Sequence, residues 1–529
     1  MRCIGYIAVL LLVAAALASA QMRNKGWWKD TVFYQIYPRS FKDDDGDGIG
    51  DLKGITKSLQ HFKDSGVGAI WLSPINRSPM YDFGYDISDF KDVDKIFGTL
   101  ADFKTLVTTA KAIGIKVILD LVPNHTSHEH SWFQMSINRT GKYTDYYIWS
   151  DGKMVDNKRQ PPNNWVSVFN GSAWTWHDTR QQYYFHQFYP QQPDLNYENP
   201  NVQDEMKDTM RFWLDNGVDG FRIDAVPHLF ESNITQDEPL FDKPGLDPSL
   251  HVNLNHTLTK DQPKTYDLVN SWRLFVDEYA TQHGQDEKVL MTEAYTSWEN
   301  TIKFYEHGSN VPFNFKFITD ANADSTAAAF QDLIQKWITM MPKDKVPNWV
   351  MGNHDRVRLA TRYPGRADQM TMLAMILPGV AVTYYGEEIG MEDNTTLKIF
   401  DFRDGCRTPF QWNNGTSAGF STNSTTWLPV NTKYTTVNLA QEKTDAESHY
   451  KLYTALTSLR KTDALKNGVL RTAVLNTDIL AVMRKGTKEI VTLLINFSQN
   501  KNITADLSGL VDGKNTLIKM SNVGSNLKP

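Results

Sequence analysis

The stretch Asp219-Gly220-Phe221-Arg222-Ile223-Asp224 sets Arg222 and Asp224 two residues apart, with the apolar Phe221 and Ile223 interleaved. In an extended strand alternate side chains share a face, so Arg222 and Asp224 point the same way. The run follows an amphipathic segment, Val202 to Leu214, that ends at Gly217. Upstream the order repeats: Leu100 to Ile113, ended by Gly114, precedes Lys116–Leu121. Further β-branched or aromatic runs are Val32–Tyr37, Ala69–Ser73, Lys288–Thr292, Phe313–Phe317, Pro347–Met351 and Val380–Tyr385, with another helical period from Trp272 to His283. Strands alternating with helices predict a parallel α/β architecture, and eight of them predict a closed barrel rather than an open doubly wound sheet.

Two regions break the rhythm of this (β/α)8 TIM barrel. Thr126 to Asn199 is rich in Trp, Tyr, Asn, Gln and Pro and lacks periodicity, so it reads as a lobe inserted after the third strand. After a last helix (His449 to Arg460), Val469–Leu475, Ile479–Arg484 and Glu489–Phe497 read as strands of a C-terminal antiparallel β domain. The expected division is a leader over 1–20, the barrel over 21–125 and 200–465, the lobe over 126–199 and the β domain over 466–529.

Composition permits a large core, with 41% hydrophobic and 22% charged residues among 529. The net charge of −6 provides no basic footprint for nucleic acid. Arg2 and the apolar run Ile7 to Leu17, followed by Ala18-Ser19-Ala20, have the form of a cleavable secretory leader, too short to span a membrane. No membrane anchor is evident, and a secreted, extracellular protein is expected. Cys3 falls in the leader, which leaves Cys406 alone and excludes an intrachain disulfide. N-x-S/T triplets begin at Asn138, Asn170, Asn233, Asn255, Asn394, Asn414, Asn423, Asn496 and Asn502. Another begins at Asn124, which follows a buried strand and is not expected to be modified.

In a barrel, chemistry gathers at the C-terminal ends of the strands. There the chain carries Asp120-Leu121-Val122-Pro123-Asn124-His125, then Asp224, then Thr292-Glu293-Ala294, then Gly352-Asn353-His354-Asp355. Glycoside hydrolysis needs one carboxylate to attack or to activate water, and a protonated one to release the leaving oxygen. A strand-end carboxylate is also a common helix cap, and Asp120 reads as a structural hydrogen-bonding residue. Arg222 is expected to keep Asp224 ionised. Glu293 has no adjacent cation in sequence, and burial between like charges would keep it protonated. On residue type alone, His125 and His354 read as core or capping residues.

These segments, in order and spacing, resemble the α-amylase family of glycoside hydrolases over essentially the whole chain from Trp27. The similarity is closest to the maltase and oligo-1,6-glucosidase branch, whose extra motif is similar to Gln192-Pro193-Asp194-Leu195-Asn196. The resemblance implies that Asp224 is the nucleophile, Glu293 the acid/base and Asp355 the transition-state stabiliser. It implies that His125 and His354 bond the sugar and that Arg222 partners the nucleophile. It also implies that Asp82 and Tyr85, in Tyr81-Asp82-Phe83-Gly84-Tyr85-Asp86, belong to an exo-specificity motif, with Arg407 as the partner that closes the pocket beside Asp82. Retention and α-anomeric preference rest on the resemblance alone. Ala225, after the nucleophile, favours α-1,4 specificity by the same resemblance.

The run Asp43-Asp44-Asp45-Gly46-Asp47-Gly48-Ile49-Gly50-Asp51 spaces carboxylates two apart, as the start of an EF-hand loop does, but lacks a glutamate at the twelfth position. Its alternative is an acidic turn. The family counterpart binds a structural Ca²⁺ through positions matching Asp43, Asp45, Asp47, the Ile49 carbonyl and Asp51. The expected activity is that of a retaining exo-acting α-glucosidase on maltose, sucrose and short oligosaccharides. Its alternatives are an oligo-1,6-glucosidase, a sucrose isomerase or transglucosidase, and a non-enzymatic ectodomain like that of a transporter heavy chain. Those ectodomains have lost the acids that Asp224, Glu293 and Asp355 preserve here.

Overall fold

A computed structural model describes residues 21–498 together with 503, 504, 506 and 520–523. The expected leader and most of the final thirty residues lie outside the described residues. Eight strands form one parallel sheet: β1 Val32–Ile36, β2 Ala69–Leu72, β3 Lys116–Leu121, β4 Gly220–Ile223, β5 Val289–Thr292, β6 Val311–Pro312, β7 Asn348–Val350 and β8 Val380–Tyr384. Their order is β6-β5-β4-β3-β2-β1-β8-β7, a barrel with one seam between β6 and β7.

Two-residue alternation sorts the strand side chains into two cores. Phe33, Trp71, Ile118, Met291, Val350 and Val382 share the barrel interior. Their neighbours Tyr34, Ile70, Leu119, Leu290, Trp349 and Ala381 pack outward with helix residues such as Leu106, Trp213 and Val276. Continued by two residues, the inward set of β3 reaches Asp120 and that of β5 reaches Glu293, while β4 contributes Arg222 and Asp224. The acids therefore converge because they occupy inward positions at strand ends. Gly220 permits β4 to lie close against β5, since a Cβ there would sit 2.2 Å from the Val289 carbonyl oxygen.

The helices begin and end where local chemistry directs. Helix α1, Leu100–Ala112, opens on a capping box between Thr99 and Asp102. Helix α2, Pro200–Asp215, and helix α3, Pro263–Gln282, both begin on proline, whose missing N–H has no intrahelical partner in the first turn. The expected start of α3 at Trp272 is thus nine residues late: the buried face already begins with Tyr266, Leu268 and Val269 in the first turns.

The sixth strand also differs from expectation. The run Phe313–Phe317 is not the strand; pairing is confined to Val311–Pro312, and the chain turns into a short helix at Lys316–Thr319. Phe313 and Phe315 fill the barrel interior instead, so their aromatic pattern reports packing rather than sheet pairing. The seam is bridged by one buried side chain. Asn348 Nδ2 donates to the Pro312 carbonyl at 2.6 Å, and Asn348 Oδ1 accepts the Asn314 N–H at 2.8 Å.

Between β3 and α2, Trp149–Ser150, Gln182–Phe185 and Trp174–His177 form a three-stranded antiparallel sheet with its own small core around Trp165 and Trp174. At the other end of the chain, β9 Val469–Val474, β10 Ile479–Lys485 and β11 Ile490–Asn496 form an antiparallel sheet. Phe497 at its edge stacks on Phe330 of the barrel layer with ring centroids 4.6 Å apart. Among the described residues, no helix is long and apolar enough to cross a membrane.

Losing the amide at the seam removes two buried hydrogen bonds and strands their backbone partners. Asn348→Ala should therefore cost roughly 2–4 kcal/mol and lower the calorimetric midpoint. An unchanged midpoint would show that the seam closes without this side chain.

Candidate active site

Arg222 is the centre around which the acids assemble. Sheet register sets it opposite Asp120 on β3 and Met291 on β5. Its Nη1 donates to both Asp120 oxygens at 2.9 and 3.1 Å and to Asp224 Oδ1 at 2.5 Å. Its Nη2 lies 3.0 Å from Glu293 Oε1. Glu293 therefore has a cation after all, supplied by the neighbouring strand rather than by its own. Asp120 also accepts from Trp71 Nε1 and the Tyr85 hydroxyl, the positioning role expected of it. Ala225 adopts a left-handed conformation (φ 47°, ψ 33°), and its N–H donates to Glu293 Oε2 at 2.9 Å. The residue after Asp224 thus holds Glu293 in place, in a backbone conformation that costs a non-glycine residue roughly 1–2 kcal/mol.

The acids differ in proton affinity. Burial pushes Asp224 up to about 7 against the pull of Arg222, with Asp120 and Asp355 adding to the rise. Burial pushes Glu293 further, to about 8, again against Arg222 and with Asp224 and Asp355 adding. Arg222 alone does not return Asp224 to the ordinary carboxylate range, as sequence suggested it would, because three buried carboxylates share one guanidinium. Asp355 lies below the ordinary carboxylate range: burial raises it, but His354, Arg407 and Arg403 together outweigh that. Asp355 is therefore the first to ionise, while burial favours a proton held within the Asp120, Asp224 and Glu293 group that shares Arg222.

The wall beyond the acids corrects one pairing. Arg407 does not pair with Asp82. Its Nη2 bonds Asp355 Oδ1 at 3.0 Å and its Nε bonds the His354 carbonyl at 2.8 Å. Arg403 takes Asp82 instead, with Nη2 to Oδ1 at 2.9 Å, and is itself oriented by Asp401. The two arginines bracket one turn, and backbone anchoring commits the inner one to Asp355. Asp82 also accepts from Gln192 Nε2 at 3.1 Å, which lies the same distance from His125 Nε2. His125 Nε2 faces the Tyr85 carbonyl at 2.9 Å. His354 stacks on the Tyr85 ring with centroids 5.2 Å apart, and its Nδ1 accepts from Gln35 Nε2 at 2.7 Å. Its Nε2 is thereby left to face Asp355 Oδ2 at 3.4 Å. Burial lowers His125 to about 4 and His354 to about 3, so both are neutral hydrogen-bonding groups.

Sequence reading left Arg403, Gln192 and Gln35 without roles. Gln192 sits in a quoted motif and Arg403 stands one turn before Arg407, but neither spacing reveals which partner each side chain reaches. Missed as well was the long connection after β4. Buried Glu238 organises it by accepting from Leu258 N, Thr259 N and Thr259 Oγ1, each at 3.0 Å, and from His256. This connection, together with Tyr295 and Lys316, bounds a cavity of about 640 Å³ whose lining includes Ala294, the residue after Glu293, and Arg356, the residue after Asp355.

In the acidic loop, one carboxylate oxygen from each of Asp43, Asp45 and Asp51 lies within 4.8 Å of the others. Asp47 is not in that group; its Oδ1 accepts the Ile49 N–H at 2.7 Å. Hard, closely spaced oxygen donors of this kind fit Ca²⁺.

The alpha amylase catalytic-domain family matches residues 35–468. The chain belongs to the alpha-amylase family. This family member is 47% identical to Maltase 1 of Drosophila virilis over 520 residues, 93% of this chain and 82% of that one. It is 49% identical to a salivary alpha-glucosidase of Anopheles gambiae, over 88% of this chain and 85% of that one. Among solved structures, the alpha-glucosyl transfer enzyme XgtA superposes with a TM-score of 0.80 at 35% identity, covering 90% and 92% of the two chains.

Cys406 does not line the pocket wall. The thiol is buried, turns to the Arg403 and His354 carbonyls, and is pushed up to about 12 by burial. Because only the thiolate alkylates readily, the native enzyme should resist iodoacetamide at neutral pH, with or without sugar. Mass spectrometry should show Cys406 modified only after denaturation, and rapid native labelling would contradict this placement.

Proposed function

We propose that this alpha-amylase family glycoside hydrolase is a secreted, retaining, exo-acting α-glucosidase that releases terminal α-1,4-linked glucose from maltose, sucrose and short oligosaccharides. The observation that carries the reading is one guanidinium, that of Arg222, taking Asp224 and Glu293 on its two terminal nitrogens. Sharing one guanidinium sets the two carboxylates that glycoside hydrolysis needs in a single site. Retention is proposed from the resemblance to the family. In this scheme Asp224 attacks the anomeric carbon while Glu293 protonates the departing oxygen, and the deprotonated Glu293 then activates water against the glycosyl ester. Asp355, held ionised by Arg407 and Arg403, stabilises the positive charge that develops on the sugar. The neutral His125 and His354 hydrogen-bond its hydroxyls.

The Asp82–Arg403 pair, backed by Gln192, supports exo-action by closing the far side of the pocket. The names of the maltase and salivary relatives support the substrate class and export, as does the leader-like form of residues 1–20. Against a non-enzymatic ectodomain stands the complete set of acids. The cavity beyond Glu293 and the likeness to a glucosyl transfer enzyme favour some transfer to sugar acceptors alongside hydrolysis.

Ca²⁺ is proposed as a structural ion held by Asp43, Asp45, Asp47, the Ile49 carbonyl and Asp51. Once bound, it would neutralise crowded carboxylates, and no catalytic step depends on it.

Asp224→Asn should abolish glucose release from maltose, because an amide cannot form the glycosyl ester. Azide should rescue Asp224→Gly and yield a β-glucosyl azide. Near-normal turnover by the Asn variant would remove the nucleophile assignment, and internal fragments from end-labelled maltoheptaose would remove exo-action.

Chelation should lower the melting temperature of the wild type while leaving its room-temperature rate largely intact, since a ligand bound only by the folded state stabilises that state. Asp43→Ala should melt at the same temperature with and without added calcium. A calcium-dependent midpoint retained in that variant would exclude this loop as the site.

A further inference from the structure

Asn255 begins one of the N-x-S/T triplets, Asn255-His256-Thr257, and its side chain is the only sequon asparagine among those bounding the cavity beside Glu293. Both Asn255 and Thr257 are exposed. The backbone beneath is tied down: Asn255 N–H donates to the Pro239 carbonyl, and His256 is pinned by Glu238 and the His251 carbonyl. A glycan is attached to the side-chain nitrogen, so the folded state must leave that side chain facing solvent. Asn255 meets this condition and, among the sequon asparagines, is the one that lines the cavity.

The position matters because of what Glu293 does. The acid protonates the leaving oxygen, so whatever is linked to the scissile glucose leaves on the Glu293 side, and the cavity lined by Ala294 and Tyr295, which follow Glu293, and by Arg356, which follows Asp355, is the space placed to receive it. A branched oligosaccharide rising from Asn255 would stand at the mouth of that cavity. A single leaving glucose remains inside it, whereas a long chain has to pass the glycan.

We infer that Asn255 carries an N-linked glycan that caps the leaving-group cavity and restricts the enzyme to short oligosaccharides. The inference rests on the exported α-glucosidase reading and adds a covalent determinant of chain-length preference to it. Excluding conformations of a long leaving group raises the free energy of its transition state while leaving that of maltose unchanged, and so appears in kcat/KM for long chains alone.

The test uses protein secreted from insect cells. Peptide mass spectrometry of the wild type should find the Asn255 peptide glycosylated. Thr257→Ala retains Asn255 but removes the acceptor triplet. It should leave kcat/KM on maltose within about twofold and raise kcat/KM on maltoheptaose roughly three- to tenfold. Asn255→Gln should reproduce the effect, and wild type trimmed by an endoglycosidase without denaturation provides the same comparison without a substitution. An unmodified Asn255 in the secreted wild type overturns the inference, as does an unchanged ratio of maltoheptaose to maltose activity once the glycan is gone. Failure of the glycosylated wild type to release glucose from maltose would instead overturn the α-glucosidase reading.

Discussion

The site depends on one buried cation serving three buried anions. The Arg222 guanidinium bonds Asp120, Asp224 and Glu293 from the barrel interior, with Trp71 beneath it at 5.1 Å. A lysine could not replace it, because a point charge on a flexible stem has no planar fork to hold carboxylates in fixed relation. Removing the guanidinium would leave several uncompensated charges in the core, a change that typically costs about 3–5 kcal/mol even for a single pair. One cation shared by three buried carboxylates leaves each of them above the ordinary carboxylate range, so burial favours a proton held among them.

Asp355 shows the opposite balance. The guanidiniums of Arg407 and Arg403 flank one carboxylate that also faces the neutral His354 ring, and together these groups overcome the burial that raises its neighbours. A carboxyl raised above its ordinary range and one held below it thus arise among buried acids of one site, through the count of cations each one faces. Arg403 also reaches from Asp355 to Asp82, so the two carboxylates are mechanically linked.

The barrel makes this convergence possible. Inward positions recur every second residue, and parallel strands in register bring the last inward position of each to the same end. Where ladder hydrogen bonds are absent, at the seam between β6 and β7, the side chain of Asn348 substitutes for them. The lobe after β3 adds Gln192 beside Asp82 and His125, and the long connection after β4 bounds a cavity whose lining includes Ala294 and Arg356.

Period and strand ends were legible in the sequence. Alternation along Asp219–Asp224 and the glycine-ended helices indicate the barrel, because a two-residue repeat and a helical repeat are local properties of the chain. The acids at strand ends are legible for the same reason. Partner choice was decided by tertiary structure. Arg403 rather than Arg407 meets Asp82, Glu293 shares the cation of another strand, and Cys406 turns away from the pocket although it adjoins Arg407. Phe313 and Phe315 look like a strand and act as barrel filling. In each case the outcome depends on which atoms from distant segments compete for one buried space, and residue spacing along the chain carries no record of that competition.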